Sequence, residues 1–115
     1  MTIDTSQTDA EYLTAAHATL DRIEARVDQW LQDDVIDIDT HRTGGLLQMT
    51  FPDGSQIILN TQPPLRELWM AARGGGFHYK RVDGDWRDTK DPDSRFLDAL
   101  AVHASRQAGQ ALRWD

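Results

Sequence analysis

At 115 residues, with 39% apolar side chains and four Trp, the chain has the size and bulk for one packed core rather than an acidic disordered tail. Its formal charge of −7 makes it a poor general ligand for nucleic acid or anionic lipid and suits it to cations and basic protein surfaces. It has no cysteine, which excludes disulfides, thiolate zinc sites and cysteine nucleophiles.

Residues 1–8 read as a loose polar leader. Thr8-Asp9-Ala10-Glu11 then has the capping-box pattern, a Thr with Glu three residues on. Leu13, Ala16, Leu20, Ile23, Val27, Trp30 and Leu31 recur at three- and four-residue steps. They predict an amphipathic helix over 9–31, about 35 Å long at 1.5 Å per residue. From 35 to 40 the period becomes two: Ile36 and Ile38 face one way, Asp37 and Asp39 the other, as in a half-buried strand.

After Gly44-Gly45, a second strand is predicted from Leu46 to Phe51. Pro52-Asp53-Gly54 turns the chain, and Gln56 to Asn60 returns. Beyond Pro63-Pro64, Glu67 to Ala72 reads as a fourth strand, although a helix is also compatible there. Gly74-Gly75-Gly76 bends the chain into a hairpin of Phe77 to Val82 and Asp85 to Thr89, joined at Asp83-Gly84. Asp91 is placed to cap a last helix with Pro92 at its first position, and Phe96, Leu97, Leu100, Ala101, Ala104 and Ala108 form its apolar face.

The order is helix, five or six short strands, helix. Tight connections favour an antiparallel sheet, and both helices can bury their apolar stripes on one face of it. The expected fold is an α+β two-layer sandwich spanning residues 1–115 as one domain, with the other sheet face left to solvent. No run approaches 18 apolar residues and no basic-then-apolar leader occurs, so a soluble, unexported protein is expected, cytoplasmic in a bacterial source.

Charge is distributed unevenly. Ten of the 19 acids lie in the first 41 residues against only Arg22 and Arg26, while the rest of the chain is nearly balanced. His17, Asp21, Glu24 and Asp28 fall at steps of four, three and four, a stripe one residue over from the core stripe. Asp33 and Asp34 extend it past the helix end, where acids have the wrong sign for the helix dipole. Asp37, Asp39 and His41 continue it on the solvent side of the first strand. The expectation is one continuous acidic face, with like charges repelling by some tenths of a kcal/mol per neighbouring pair. Most such charge runs are plain solvated surface. If the stripe binds cations, its oxygens suit hard ions, one or two carboxylates per ion with water completing the shell. Binding is then weak, with manganese or calcium able to compete.

Several strings resemble bacterial frataxins: Asp37-Ile38-Asp39 followed by Gly44-Gly45, Phe51-Pro52-Asp53-Gly54-Ser55, Asn60-Thr61-Gln62-Pro63-Pro64-Leu65 running into Leu68-Trp69, Gly75-Gly76-Phe77-His78-Tyr79, and Asp85-Trp86. The resemblance covers nearly the whole chain, and it implies the same sandwich in the same element order. It further implies iron (Fe2+/Fe3+) held weakly by surface carboxylates, and a role in iron–sulfur cluster assembly in contact with a cysteine desulfurase and the scaffold machinery. The metal set it suggests is Asp21, Glu24, Asp28, Asp33, Asp34, Asp37 and Asp39, with His17 and His41 as further candidates. Glu24, Asp28, Asn60, Gln62 and Trp69 are the implied partner-binding residues. Ala25, Gln29 and His41 stand where family members often carry acids, so this ridge should hold fewer ligands.

Strand alternation sets Trp69 opposite Leu68 and Met70. With those two in the core, Trp69 lies on the open sheet face near Gln48, Ile58 and Asn60, a candidate interface anchor. The competing readings are a Trp covered by the adjacent loop, or a one-residue register slip. Trp30, Trp86 and Trp114 are assigned to core or helix-end packing. No two of His17, His41, His78 and His103 share a helical three- or four-residue spacing, so a structural transition-metal site is not expected. The Gly triplet lacks the Lys-Ser/Thr of a phosphate loop, and no Ser–His–Asp set rises above chance. The leading expectation is a non-enzymatic iron-binding accessory, monomeric without metal, docking through its ridge on a basic patch of the desulfurase. The alternatives are a ferroxidase that stores iron by oligomerising, and a polyanion mimic that blocks a basic partner.

Overall fold

A computed structural model describes residues 8–114. The expected leader therefore lies outside the described residues, except for Thr8. That residue is the helix cap: its hydroxyl accepts the Glu11 N–H at 3.1 Å and starts α1 (Asp9–Gln32). Six strands follow, β1 (Asp39–Thr43), β2 (Leu46–Thr50), β3 (Gln56–Gln62), β4 (Glu67–Ala72), β5 (Gly75–Val82) and β6 (Asp85–Asp88). A single 3-10 turn, Pro63–Leu65, separates β3 from β4, and α2 (Phe96–Ala108) closes the fold. The strands form one antiparallel meander in sequence order. Asp83 and Gly84, both at positive φ (51° and 85°), make the tight β5–β6 turn that this Asp-Gly pair predicts.

Alternation along the strands buries Leu47, Met49, Ile57, Leu59, Leu68, Met70, Tyr79 and Trp86 on one face, against Ala16, Leu20, Ile23, Val27, Phe96, Leu100 and Ala104 of the helices. Each large aliphatic side chain fully buried here contributes about 1.5–3 kcal/mol by the usual transfer values. After α2 the chain straps back across α1. Trp114 meets Trp30 edge-on at 4.8 Å, and its indole N–H donates to the Ile23 carbonyl at 3.3 Å. The expected packing roles of Trp30, Trp86 and Trp114 hold, since all three are buried.

Three expectations need correction. Leu13 and Leu31 are exposed, at 39% and 51%. Each lies about 100° around the helix from a residue that takes the core position, Tyr12 and Trp30 respectively. The first strand begins at Asp39 rather than 35, because its neighbour, β2, ends at Thr50 opposite Asp39. Phe51 there enters the turn, donating to the Ser55 carbonyl and accepting from Gly54, so residues 36–38 have no strand to pair with among the described residues. Their side chains still alternate, and Ile38 is buried.

The last helix starts at Phe96, not at Pro92. Asp91 instead builds a turn, its carbonyl accepting from Ser94 and its carboxylate from the Asp93 N–H. Ser94 is then tied to β6 by the Asp88–Ser94 hydrogen bond, and Arg95 is held extended by an Arg87–Arg95 bridge, which delays the helix.

Candidate functional site

The acidic edge begins on α1. The register of β1 points Asp39 and His41 away from the helices and leaves Thr40 and Arg42 on the helix side. Arg42 consequently reaches α1. Its Nη1 donates to Asp21 Oδ1 at 2.9 Å and Glu24 Oε1 at 2.6 Å, its Nη2 meets His17 Nδ1 at 3.2 Å, and its Nε donates to the Gly44 carbonyl at 2.7 Å. Burial alone would lower the guanidinium pKa, but the bonds to Glu24 and Asp21 raise it above its ordinary value. The expected continuous acidic face is thus interrupted by a cation of the same molecule. His17, Asp21 and Glu24 are brought together, as counter-charges of Arg42.

The other acids are arranged differently. Asp28 is exposed on the next turn of α1, and among the described residues neither it nor Asp33, Asp34, Asp37 or Asp39 forms an ion pair. Asp33 caps the C-terminus of α1, and its carboxylate accepts the Gln29 side-chain amide at 3.0 Å. Asp34 follows in the left-handed region, φ 56°, which lets the chain turn so that the Val35 N–H reaches the Trp30 carbonyl. Asp37 and Asp39 are exposed on the extended approach and first residue of β1, and exposed His41 lies opposite Gln48 with Nε2 3.3 Å from Thr43 Oγ1. Among the described residues no three His, Asp or Glu side chains converge to hold a metal ion.

The open sheet face carries the second group. Trp69 is half-buried there, paired directly with Asn60 on β3 and His78 on β5, and stacked on His78. Its neighbours Ile58 and Gln48 lie on the same face, one pairing further along and across. Gln62 is the register partner of Glu67. Glu67, only 8% exposed, was not singled out from the sequence. It accepts the Trp69 indole N–H at 2.8 Å and lies 3.7 Å from His78 Nδ1 and 3.8 Å from Lys80 Nζ. The Tyr12 hydroxyl donates to the Glu67 carbonyl at 2.5 Å and accepts the Gln62 N–H at 3.0 Å, tying this corner of the sheet to α1. Alternation from Trp69 back to Glu67 was the available signal.

A six-stranded antiparallel meander covered on one face by an N-terminal and a C-terminal helix, with acids on the first-helix edge and a Trp on the open face, defines a small two-layer α+β protein of frataxin architecture. The Frataxin-like domain family model matches residues 5–110, and the chain belongs to that family. Curated relatives include the iron-sulfur cluster assembly proteins CyaY of Burkholderia mallei (strain SAVP1) and Burkholderia pseudomallei (strain K96243). Each is 49% identical over 104 residues, covering 90% of this chain and 94% of the relative. Among solved structures, frataxin from Psychromonas ingrahamii superposes with a TM-score of 0.82 at 26% identity, covering 95% of this chain and 99% of that one. Trimeric frataxin from the yeast Saccharomyces cerevisiae, in a ferrous complex, shares the fold at a TM-score of 0.70 and 17% identity, over 96% of this chain and 94% of that one. Among the described residues no helix is long and apolar enough to cross a membrane.

Proposed function

We propose that the protein is a non-enzymatic accessory of iron–sulfur cluster assembly that carries iron weakly on its acidic edge and docks on a cysteine desulfurase in the bacterial cytoplasm. The carrying observation is the 49% identity, over nearly the full length of both chains, to relatives named for that assembly process. The charge distribution supports it, with ten acids in the first 41 residues of a chain whose remainder is nearly neutral.

We assign iron first to Asp28, Asp33, Asp34, Asp37 and Asp39, whose carboxylates are in no ion pair among the described residues. Asp21, Glu24 and His17 are poorer ligands in the folded chain because Arg42 already holds them, and His41 is an exposed auxiliary. Carboxylate oxygens with water completing the shell suit ferrous and ferric iron, and manganese and calcium compete for the same oxygens. Iron is here cargo, taken up and released by a chain that is a monomer without metal. The acids at Glu24 and Asp28 face a basic patch of the desulfurase, while Asn60, Gln62 and Trp69 offer the scaffold a polar surface with one aromatic anchor.

The test is titration of purified cysteine desulfurase with the protein at low and at moderate salt. Binding is expected to weaken with ionic strength and to fall further for Asp28→Lys. Indifference to both changes overturns the docking model. Oxygen uptake after anaerobic loading with ferrous ion separates this reading from a ferroxidase, since catalysed uptake above the buffer rate belongs only to the latter.

A further inference from the structure

Arg42 spends all three of its guanidinium nitrogens inside the molecule: one on a backbone carbonyl, one on His17, and one shared by Asp21 and Glu24. We propose that Arg42 is an internal counter-ion that closes the His17–Asp21–Glu24 end of the acidic edge to divalent cations and confines them to the end formed by Asp28 and residues 33–39. The inference rests on the iron-carrying reading above and adds which part of the edge is open.

A metal ion bound to Asp21 and Glu24 has to replace the guanidinium or lie beside it on the same carboxylates. Repulsion between cations at that range is steep, and more so because Arg42 is only 18% exposed and the Glu24 side chain 29%. Replacement also strands the guanidinium. Its Nε is anchored to the Gly44 carbonyl at the β1–β2 turn, so leaving costs a backbone partner as well. His17 is closed by the same contact. A guanidinium has donors only, so Nδ1 must be accepting from it and its lone pair is not offered to a metal.

Among the described residues the far end of the edge lacks any such lock. Asp28, Asp37 and Asp39 are exposed without an ion pair among the described residues, and Asp33 binds only a neutral amide, which a cation can displace. One side chain on β1 thereby sets both the position and the number of ions, keeping an acidic surface that a bulky basic partner can meet but a small ion cannot penetrate.

Free Mn2+ in a titration of the full chain, read by electron paramagnetic resonance, tests this. Arg42→Met keeps the aliphatic stem and removes the donors, and circular dichroism verifies that it folds, with Arg42→Ala as a second variant. Both are expected to bind at least one more ion per chain than the native protein, with an affinity for the added site about tenfold or more above any the native chain shows there. Adding Asp21→Asn and Glu24→Gln to Arg42→Met should remove the gain. An Arg42→Met isotherm equal to the native one, or a gain that survives the two added substitutions, overturns the inference and leaves the iron-carrying reading standing. Binding by the variants but not by the native chain overturns that reading and, with it, the confinement of ions to the far end. Binding by neither overturns both.

Discussion

The indole of Trp69 lies flat on the imidazole of His78, with ring centroids 4.1 Å apart and planes 7° from parallel. The two residues are direct neighbours across β4 and β5, and the Glu67 carboxylate fixes the indole N–H from the same face. Trp69 is therefore held in one orientation by a ring and a hydrogen bond within its own sheet. An aromatic anchor ordered in advance loses little conformational freedom on docking, which is where much of the cost of association otherwise lies.

Trp69→Ala is accordingly expected to weaken capture of a purified iron–sulfur scaffold protein by about 2 kcal/mol or more, the range of an anchoring aromatic. Trp69→Phe, which keeps a stacking ring but loses the bond to Glu67, should fall between. Titration calorimetry with the scaffold measures both. Manganese binding is expected to stay at the native level, because none of the acids assigned to iron contacts Trp69. Equal scaffold affinity for all three proteins removes Trp69 from the interface.

Arg42 also joins β1 to α1, so its loss has a stability consequence separate from metal. Its bond to half-buried Glu24 should contribute more than the one to Asp21, whose side chain is 71% exposed and solvent-screened. Arg42→Met is expected to cost about 1 kcal/mol in urea unfolding at low salt, with the difference shrinking as salt screens the newly unopposed acids. A destabilisation that grows with salt contradicts this assignment.

Gln107 is buried on α2, where every other buried residue is apolar. Its side-chain oxygen accepts the Arg73 N–H at 3.0 Å, and its amide donates to Ser55 Oγ at 3.0 Å and to the Gln56 carbonyl at 3.1 Å. One residue thus closes the β2–β3 and β4–β5 turns onto the helix. Gln107→Leu leaves backbone partners unsatisfied in a partly buried place and should cost about 2–4 kcal/mol, visible as a lower urea midpoint at unchanged slope. A change below about 0.5 kcal/mol would mean that water replaces all three bonds.

The elements that periodicity controls were legible: α1 to within one residue of its end, both later hairpins, and the outward face of Trp69. The misses share a physical cause, since each depends on a tertiary partner. The start of β1 is set by where β2 stops, and the start of α2 by the pairing of residues 94–95 with β6. Gln107 lies on the helix face that periodicity assigns to the core, and nothing local shows which turns it will meet.

The acidic edge was legible as composition but not as a circuit. A charge count that closes at residue 41 stops one short of Arg42, the cation that reorganises it. The alternation that turns Asp39 and His41 outward also turns Arg42 inward, so its direction was available. Its reach to three residues of α1 was not, because strand–helix spacing is set by the packed core.

His103 supplies the pH dependence. Its ring is half-buried on α2, tilted on Phe77 with centroids 4.9 Å apart, and packed so closely on Gly74 that a Cβ there would come within 2.9 Å. Burial first, and the nearby Arg106 charge second, hold its pKa below the ordinary histidine value. The folded state thus resists a proton that the unfolded chain accepts near pH 6.5. Above that pH both states are neutral and the stability is fully present. As pH falls below it the unfolded chain binds more protons, so stability declines, and the decline levels off once pH has passed the folded pKa. His103→Phe keeps an aromatic against Phe77 and removes the proton site. Its unfolding free energy, measured by urea titration from pH 7.5 downward, should fall less than that of the native chain below pH 6.5, the other three histidines being common to both. Parallel curves over that window would show that His103 titrates alike in the folded and unfolded chain.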